Sequence, residues 1–170
     1  MKLVSYQSPF GELSIAASGG SIVLCDWPHS RKYTRHIRDI ESSQNGTADY
    51  DSANEAVTRL ASRQLDEYFA GLRKEFDLPL APVGTPFQQR VWGALSHILY
   101  GETISYSEIA EYIGNKNATR AVANAIGCNP LSIIIPCHRV IGCNGAITGY
   151  AGGIDVKRKL LSHEKWYKNR

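Results

Sequence analysis

The chain has 170 residues, of which 43% are hydrophobic, and 19 Lys and Arg against 16 Asp and Glu give a formal net charge of +3. This length and composition indicate a globular chain of one domain or two small ones. A basic and apolar leader is missing, as is any apolar run of membrane-spanning length, so we expect a soluble, intracellular protein of the cytoplasm that does not bind membranes.

The charges divide unevenly along the chain. Residues 1–82 carry nine Lys and Arg against eleven Asp and Glu, a net charge of −2, whereas residues 83–170 carry ten against five, a net of +5. A basic half beside an acidic half predicts one face that meets a polyanion. A solvated surface with uneven charges would give the same pattern, and charge by itself leaves these two interpretations level.

The first half predicts a small sheet with a helix. Short alternating or apolar runs predict strands at 2–6, 13–17 and 22–25, separated by turn residues. The polar stretch 41–52 predicts a loop, and helical spacing follows from about 56 to 69. The proline-rich stretch 78–84 predicts a linker, which gives an N-terminal domain at 1–82 and a C-terminal domain at 83–170.

The second half is predicted to be mainly helical. Thr85 and Gln88 form a capping box before one helix, and Ser105 and Glu108 form a second box before the next. A third helix is predicted over 117–126. The last two helices, joined by a tight turn, indicate a helix-turn-helix.

A cysteine and a histidine follow the apolar run 133–135, which predicts a buried strand. Pro136 ends that strand, so Cys137 and His138 are expected at a break in a rigid element. A thiol acts as a nucleophile where a base or positive group favours the thiolate. By residue type alone, Cys137 is more simply a small buried hydrophobe.

The motif Ile135 to Val140, with the letters IPCHRV, resembles the acceptor site of the O6-alkylguanine-DNA alkyltransferases, the methylated-DNA–protein-cysteine methyltransferases. Further blocks of the chain resemble this family in order and spacing over about half the length. These blocks are 85–92, 100–102, 105–106, 120–122, 129–130, 148–153 and 160–164.

The resemblance implies the fold and the reaction. The fold is an α/β N-terminal domain, a small ribonuclease H-like sheet plus helix with a structural role, followed by a mainly helical, winged-helix-like C-terminal domain with the helix-turn-helix. The activity is direct-reversal DNA repair in which the alkyl group of O6-alkylguanine, and of O4-methylthymine, passes irreversibly to Cys137. The implied partner is double-stranded DNA that carries the lesion, approached from the minor groove with the base flipped out. We expect a monomer, and cooperative binding along DNA stays open.

The resemblance also assigns the catalytic residues. Cys137 is the nucleophile, and His138 acts on it through water. Glu164 orients the histidine, as the third member of a hydrolase triad does. Asn129 is expected to fix the turn that presents the cysteine, through bonds from its side chain to the backbone. By spacing alone, Glu164 would be a solvated helix residue.

Substrate and DNA contacts are assigned in the same way. Tyr106 is expected to hydrogen-bond N3 of the flipped guanine, although a packing role is the simpler interpretation of the residue alone. Arg120 is expected to fill the gap left by the base, with phosphate contact as the alternative. The remaining expected contacts to base or DNA are Tyr150, Ala151, Gly152 and Arg139.

The other cysteines suggest neither disulfides nor a metal. Cys25, Cys128 and Cys143 are expected to be reduced thiols, and their spacing matches no zinc site. Cys25 and His29 are four residues apart, but we interpret them as surface or core residues. No cofactor is expected, because the substrate itself carries the alkyl group.

Three other functions are less consistent with these residues. Alkyltransferase-like lesion sensors lack the acceptor cysteine, and the transcription-regulator fusions carry a four-cysteine zinc module that the single cysteine of residues 1–82 cannot supply. A cysteine hydrolase would suit Cys137, His138 and Glu164 but would leave the helix-turn-helix and Arg120 unexplained.

Overall fold

The computed structural model describes residues 1–44 and 51–170. The chain forms two compact units, Met1–Val83 and Gly84–Arg170. Their boundary falls inside the proline-rich stretch 78–84 from which a linker was predicted.

The N-terminal unit contains an antiparallel three-stranded sheet of β1 (Lys2–Ser8), β2 (Gly11–Ser18) and β3 (Ser21–Asp26), in that order. The three predicted strands are therefore confirmed. Strand β2 alternates little, because the five successive residues 13–17 are all buried. Such a run is typical of a strand covered on both faces.

The described residues of this unit also form two helices, α1 (Tyr33–Ser43) and α2 (Asp51–Phe69). Helix α2 confirms the predicted helix, whereas α1 was not predicted because its buried face consists only of His36 and Ile40. The predicted loop at 41–52 is wrong at both ends, which belong to α1 and α2. Positions 45–50 of that predicted loop lie outside the described residues.

The predicted linker is partly paired with the sheet. The backbone N–H of Ile22 donates to the carbonyl of Pro79 at 2.8 Å, and the N–H of Ala81 donates to the carbonyl of Ile22 at 2.9 Å. Val83 packs against a cluster of buried apolar residues of the same unit. The stretch is therefore held along the edge of β3, since its backbone groups complete the ladder that the edge leaves open.

The C-terminal unit is mainly helical, as predicted. It contains helices α3 (Pro86–Leu95), α4 (Tyr106–Tyr112), α5 (Thr119–Ile126) and α6 (Ile154–Tyr167), together with the short parallel pair β4 (Ile104–Ser105) and β5 (Val140–Ile141). Short 3₁₀ turns precede α5, at Lys116–Ala118, and precede β5, at Cys137–Arg139. Helices α4 and α5 form the predicted helix-turn-helix.

Both predicted capping boxes are present. The Thr85 hydroxyl accepts from the backbone N–H of Gln88, whose side chain accepts from the N–H of Thr85. The same reciprocal pair joins Ser105 and Glu108 at the start of α4. Each box satisfies N–H groups that have no partner within the helix, so these two starts could be recognised from local sequence.

The core of this unit lies where α3 meets α5. Trp92 is 2% exposed, and its indole N–H donates to the carbonyl of Ala125 at 2.9 Å. Val91, Leu95 and Val122 are fully buried around the same contact. None of the described helices has the length and apolar character needed to cross a membrane.

The strand predicted at 133–135 is wrong. These residues form turns, and Ile133 has a φ of 71°. A β-branched residue rarely adopts this left-handed conformation. The apolar run is buried, as a strand would be, but hydrogen bonds within the segment replace strand pairing, including Ile135 N–H to the Leu131 carbonyl at 2.8 Å.

Candidate active site

Asn129 organises the turn that leads to Cys137. Its side-chain amide donates to the carbonyls of Ile135 at 3.0 Å and Leu131 at 3.4 Å, while its oxygen accepts from the N–H of Leu131 at 2.9 Å. Asn129 is 3% exposed, so these bonds satisfy groups that water does not reach. They span both ends of the strained turn and hold Ile133 in its unfavourable conformation.

Cys137 follows Pro136 and opens the 3₁₀ turn Cys137–Arg139. The cysteine is 6% exposed. Its N–H donates to the carbonyl of Ile135 at 2.7 Å, and the N–H of Arg139 donates to the carbonyl of Pro136 at 3.0 Å. The thiol is therefore presented on a tightly bonded turn at a break in the chain, rather than at the end of a strand.

The next residue, His138, is fully buried and contacts α6. Its Nε2 lies 2.7 Å from Oε1 of Glu164, and neither side chain is exposed. The two residues are twenty-six positions apart, so the fold rather than the local sequence brings them together.

Arg139 completes the bonding of Glu164. Its Nε donates to Oε2 of Glu164 at 2.8 Å and its Nη2 donates to Oε1 at 2.9 Å, in a bidentate pair. The remaining Nη1 donates to the carbonyl of Ile98 at 2.6 Å, and the N–H of Gly101 donates to Oε2 of Glu164 at 3.1 Å. Arg139 was expected to contact base or DNA. In this structure it is buried and binds Glu164, and its guanidinium is turned to that carboxylate rather than to solvent.

The environment sets the charges of this cluster. Burial lowers the pKa of His138, and although the Glu164 charge and hydrogen bond oppose this effect, the Arg139 and Lys157 charges add to it. Burial by itself would raise the pKa of Glu164, but His138 and Arg139 more than offset it and lower that pKa. Because the guanidinium is always charged, Glu164 is an ionised carboxylate beside a neutral imidazole.

A neutral His138 that bonds an ionised carboxylate carries its proton on Nε2. This assignment leaves Nδ1 as an acceptor. Nδ1 is buried and has no hydrogen-bond partner within residues 1–44 and 51–170. A buried acceptor of this kind is available to take a proton from a thiol.

Lys157 also belongs to the site, and sequence reasoning missed it. Its side chain on α6 is fully buried, and its ammonium donates to the carbonyls of Val140 at 2.6 Å and Thr148 at 2.8 Å. The ammonium also lies 5.9 Å from the centre of the Tyr106 ring. A lysine in the first turn of an amphipathic helix carries no sequence signal of burial.

Tyr106 begins α4, directly after the Ser105 cap, and is half-buried. Its hydroxyl lies 3.3 Å from the hydroxyl of Thr148, which donates to it. The structure therefore brings Tyr106 and Lys157 together with the segment that contains Thr148.

Comparison with known proteins identifies the family. Residues 1–82 match the ribonuclease-like domain of 6-O-methylguanine DNA methyltransferase, and residues 86–166 match the DNA binding domain of the same family. The chain belongs to the 6-O-methylguanine DNA methyltransferases. The resemblance seen in the sequence motifs is thus confirmed over nearly the whole length, and with it the two-domain fold.

Individual relatives of this methyltransferase agree with the family match. The methylated-DNA–protein-cysteine methyltransferase of Methanosarcina acetivorans is 60% identical over 145 residues, which cover 85% of this chain and 92% of the relative. The constitutive enzyme of Bacillus subtilis is 44% identical, with 94% and 92% covered. The crystal structure of Mycobacterium tuberculosis OGT in complex with DNA is 44% identical, with a TM-score of 0.80 over 96% of this chain and 92% of that one.

Three of the residues that were expected to contact the base, Tyr150, Ala151 and Gly152, lie between β5 and α6 of this methyltransferase and are called the pocket wall. The Tyr150 ring stands edge-on to the ring of His138, with centroids 6.5 Å apart. Ala151 and Gly152 follow it in the turn before α6, and Gly152 is buried. Tyr150 thus lies beside His138, and its expected contact with the base stays a prediction.

Arg120 lies apart from this cluster in the described structure. It occupies the first turn of α5, with its side chain exposed, whereas the bonds to Glu164 come from His138, Arg139 and Gly101. Its placement on the second helix of the helix-turn-helix suits contact with a nucleic acid rather than with the acceptor thiol.

The remaining cysteines lie in different environments. Cys25 is buried in β3, Cys128 is half-buried and Cys143 is exposed. No group of three or more His, Cys, Asp and Glu residues suited to a metal ion occurs within the described ranges.

Proposed function

We propose that this protein carries out direct-reversal repair of DNA in the cytoplasm, by irreversible transfer of the alkyl group from O6-alkylguanine to Cys137. The observation that carries the proposal is the buried pair of His138 and Glu164, in which Nε2 lies 2.7 Å from Oε1. His138 directly follows Cys137 on a rigid turn. The names of the relatives support it, since they are methylated-DNA–protein-cysteine methyltransferases.

The chemistry follows from the protonation of the pair. Nδ1 of the neutral His138 takes the thiol proton by way of a water molecule, and the resulting imidazolium is stabilised by Glu164. The thiolate of Cys137 attacks the alkyl carbon, a sulfur–carbon bond forms, and the bond from that carbon to guanine O6 breaks. The electron pair stays on the guanine, which then accepts a proton and is restored.

The product is a thioether that water does not hydrolyse, so each molecule acts once. No cofactor enters this balance, because the alkyl group and the leaving group both belong to the substrate. The same displacement applies to O4-methylthymine, in which a methyl group is bound to an equivalent oxygen.

Tyr106, Tyr150, Ala151 and Gly152 are proposed to bind the flipped base. The half-buried Tyr106 hydroxyl would donate to guanine N3, which neutralises charge as the base leaves. Tyr150 would offer an aromatic surface to the base, and Gly152 would allow the backbone to approach it closely.

Arg120 and the helix-turn-helix are proposed to bind double-stranded DNA from the minor groove. A base inside the duplex cannot reach a thiol, so the nucleotide must rotate out. The exposed Arg120 would enter the gap and donate to the orphaned partner base. The structure of Mycobacterium tuberculosis OGT in complex with DNA supports DNA as the partner. We expect the protein to act as a monomer.

The decisive experiment measures intact mass after reaction with a duplex that contains one O6-methylguanine, followed by peptide mapping. A gain of one methyl group per protein on the Cys137 peptide is expected. Cys137→Ser should give no gain while it still binds the lesion duplex, and Cys143→Ser is the matched control that should react normally. A folded parent protein that binds the duplex without gaining mass would instead indicate a lesion sensor.

A further inference from the structure

The ammonium of Lys157 joins three backbone carbonyls inside the C-terminal unit. It lies 2.6 Å from the carbonyl oxygen of Val140, 2.8 Å from that of Thr148 and 3.4 Å from that of Gly149. A protonated lysine has three N–H donors, so these carbonyls engage all of them. A neutral amine has one N–H fewer, and only the charged form makes the full set.

These carbonyls come from two segments, one that follows the turn of Cys137 and one that precedes the pocket wall. Val140 follows the 3₁₀ turn of Cys137 and pairs in β5 with Ile104, just before the helix that presents Tyr106. Thr148 and Gly149 directly precede Tyr150. The side chain of Lys157 on α6 therefore connects the end of the turn that contains Cys137 to the segment that leads into the pocket wall.

Tyr106 is fixed by the same arrangement. Its ring centre lies 5.9 Å from the Lys157 ammonium, within the range of a cation–π contact. Its hydroxyl accepts from the Thr148 hydroxyl at 3.3 Å, and Thr148 is itself held through its carbonyl by Lys157. Loss of Lys157 would thus remove the cation–π contact with the Tyr106 ring and loosen Thr148, which donates to the Tyr106 hydroxyl.

This buried cation is costly for the fold. Burial lowers the pKa of Lys157 to about 8, and the charge of Cys137 acts in the opposite direction and raises it. A lysine that stability alone would replace by an apolar residue is a candidate for a functional role. The mutual effect of the two charges means that the ammonium also favours the thiolate of Cys137.

We propose that Lys157 is a positioning residue for alkyl transfer, which holds the pocket wall in place and keeps a positive charge beside the Cys137 thiol. This inference rests on the proposed function. The other charged and titratable groups that contact Lys157 or His138, or that bind Glu164, are present in both the parent protein and its Lys157 variants. These groups are His138, Arg139, Glu164, Tyr106 and Tyr150.

Two reagents distinguish the two proposed roles of Lys157, the positioning of the pocket wall and the supply of positive charge to the Cys137 thiol. O6-benzylguanine, a free base, must fit the pocket before it reacts, whereas iodoacetamide is a small electrophile whose rate follows the thiolate fraction. Both reactions are measured at Cys137 by peptide mapping, as a function of pH, for the parent, Lys157→Met and Lys157→Gln. Lys159→Met, an exposed position on the same helix, is the matched control.

We expect Lys157→Met to react with O6-benzylguanine at least about tenfold more slowly, and the midpoint of its iodoacetamide profile to rise by about one pH unit, as loss of a nearby opposite charge requires. Lys157→Gln, which retains N–H donors but no charge, should show the raised midpoint with a smaller loss towards O6-benzylguanine. A purely structural lysine would leave the iodoacetamide midpoint of a folded variant unchanged.

Unchanged rates and midpoints in folded Lys157→Met would overturn the inference. If neither variant folds, the parent profile decides, because a midpoint at or above the ordinary thiol value of about 8.5 contradicts a favouring charge. Failure of the proposed function has a different signature: the parent would not react with O6-benzylguanine at all, while the iodoacetamide profiles would still test Lys157.

Discussion

Nε2 of His138 lies 2.7 Å from Oε1 of Glu164, with both side chains removed from solvent. The carboxylate also accepts two hydrogen bonds from Arg139 and one from the N–H of Gly101. Such a site orients the imidazole in a single tautomer, because any rotation of Glu164 would break several bonds at once. The imidazole of His138 is thus held in one orientation by the fold itself.

Replacement of Glu164 by Gln tests this pair. Removal of one partner leaves the Arg139 charge buried without compensation, which typically costs about 3–5 kcal/mol of the free energy of unfolding. We also expect transfer to Cys137 to slow by about a hundredfold, since the base loses its orienting charge.

Urea unfolding and the rate of methyl transfer from a lesion duplex measure the two effects of Glu164→Gln. Glu111→Gln is the control, because Glu111 forms an exposed ion pair with Lys116 at 3.1 Å. An exposed pair contributes at most about 1 kcal/mol. If both variants behave alike, the Glu164 cluster is not the base-orienting device.

The stability of the protein should depend on pH through Lys157. Burial lowers its pKa in the folded protein from 10.5 to about 8. The unfolded chain therefore binds more protons between these pH values, so the Lys157 contribution to stability rises as pH increases through this window. A tenfold change in proton affinity corresponds to about 1.4 kcal/mol, so the gain is on the order of 3 kcal/mol.

This gain is measured as the difference in the free energy of unfolding between the parent and Lys157→Met, from urea titrations at several pH values. The free energy of unfolding of the parent should increase relative to that of the variant from about pH 8 upwards, and the difference should level off near pH 10.5. A difference that stays constant across this range would mean that the pKa of Lys157 is not lowered in the folded protein.

Arg120→Ala should separate base flipping from chemistry. The side chain is exposed and lies outside the bonds around Glu164, so the reaction with free O6-benzylguanine should be nearly unchanged. The reaction with a duplex lesion should slow by at least about tenfold, because nothing then offsets the few kcal/mol of unstacking. Arg59→Ala, on an exposed ion pair of α2, is the charge-matched control. Equal losses on the two substrates would refute the flipping role.

Asn129→Ala should loosen the acceptor turn. The substitution leaves the N–H of Leu131 and the carbonyl of Ile135 without their side-chain partner, and each buried unsatisfied group costs about 1–3 kcal/mol. We expect a lower free energy of unfolding and slower alkylation of Cys137. Asn144→Ala is the control, because Asn144 makes a similar bond, to the N–H of Ala146 at 3.1 Å, in an exposed turn. Similar losses of stability in both variants would remove the special role of the Asn129 turn.

Local sequence was sufficient for features whose causes are local. Capping boxes, strand patterns and the acceptor motif depend on residues within a few positions of each other, so Thr85, Ser105 and Cys137 could be identified from the sequence. Helix α1 was not predicted, because only His36 and Ile40 mark its buried face. The run 133–135 was assigned to a strand because hydrophobic periodicity does not reveal a turn whose backbone is held by the side chain of Asn129.

Tertiary structure decided the electrostatics of the site. Glu164 on α6 would be a solvated helix residue by its spacing, and only the fold buries it against His138 and Arg139. The same holds for Lys157, whose carbonyl partners come from a strand and a loop that precede it in the chain. A sequence specifies which groups can ionise, but burial and contacts over long sequence separations set their pKa values, and these exist only once the chain has folded.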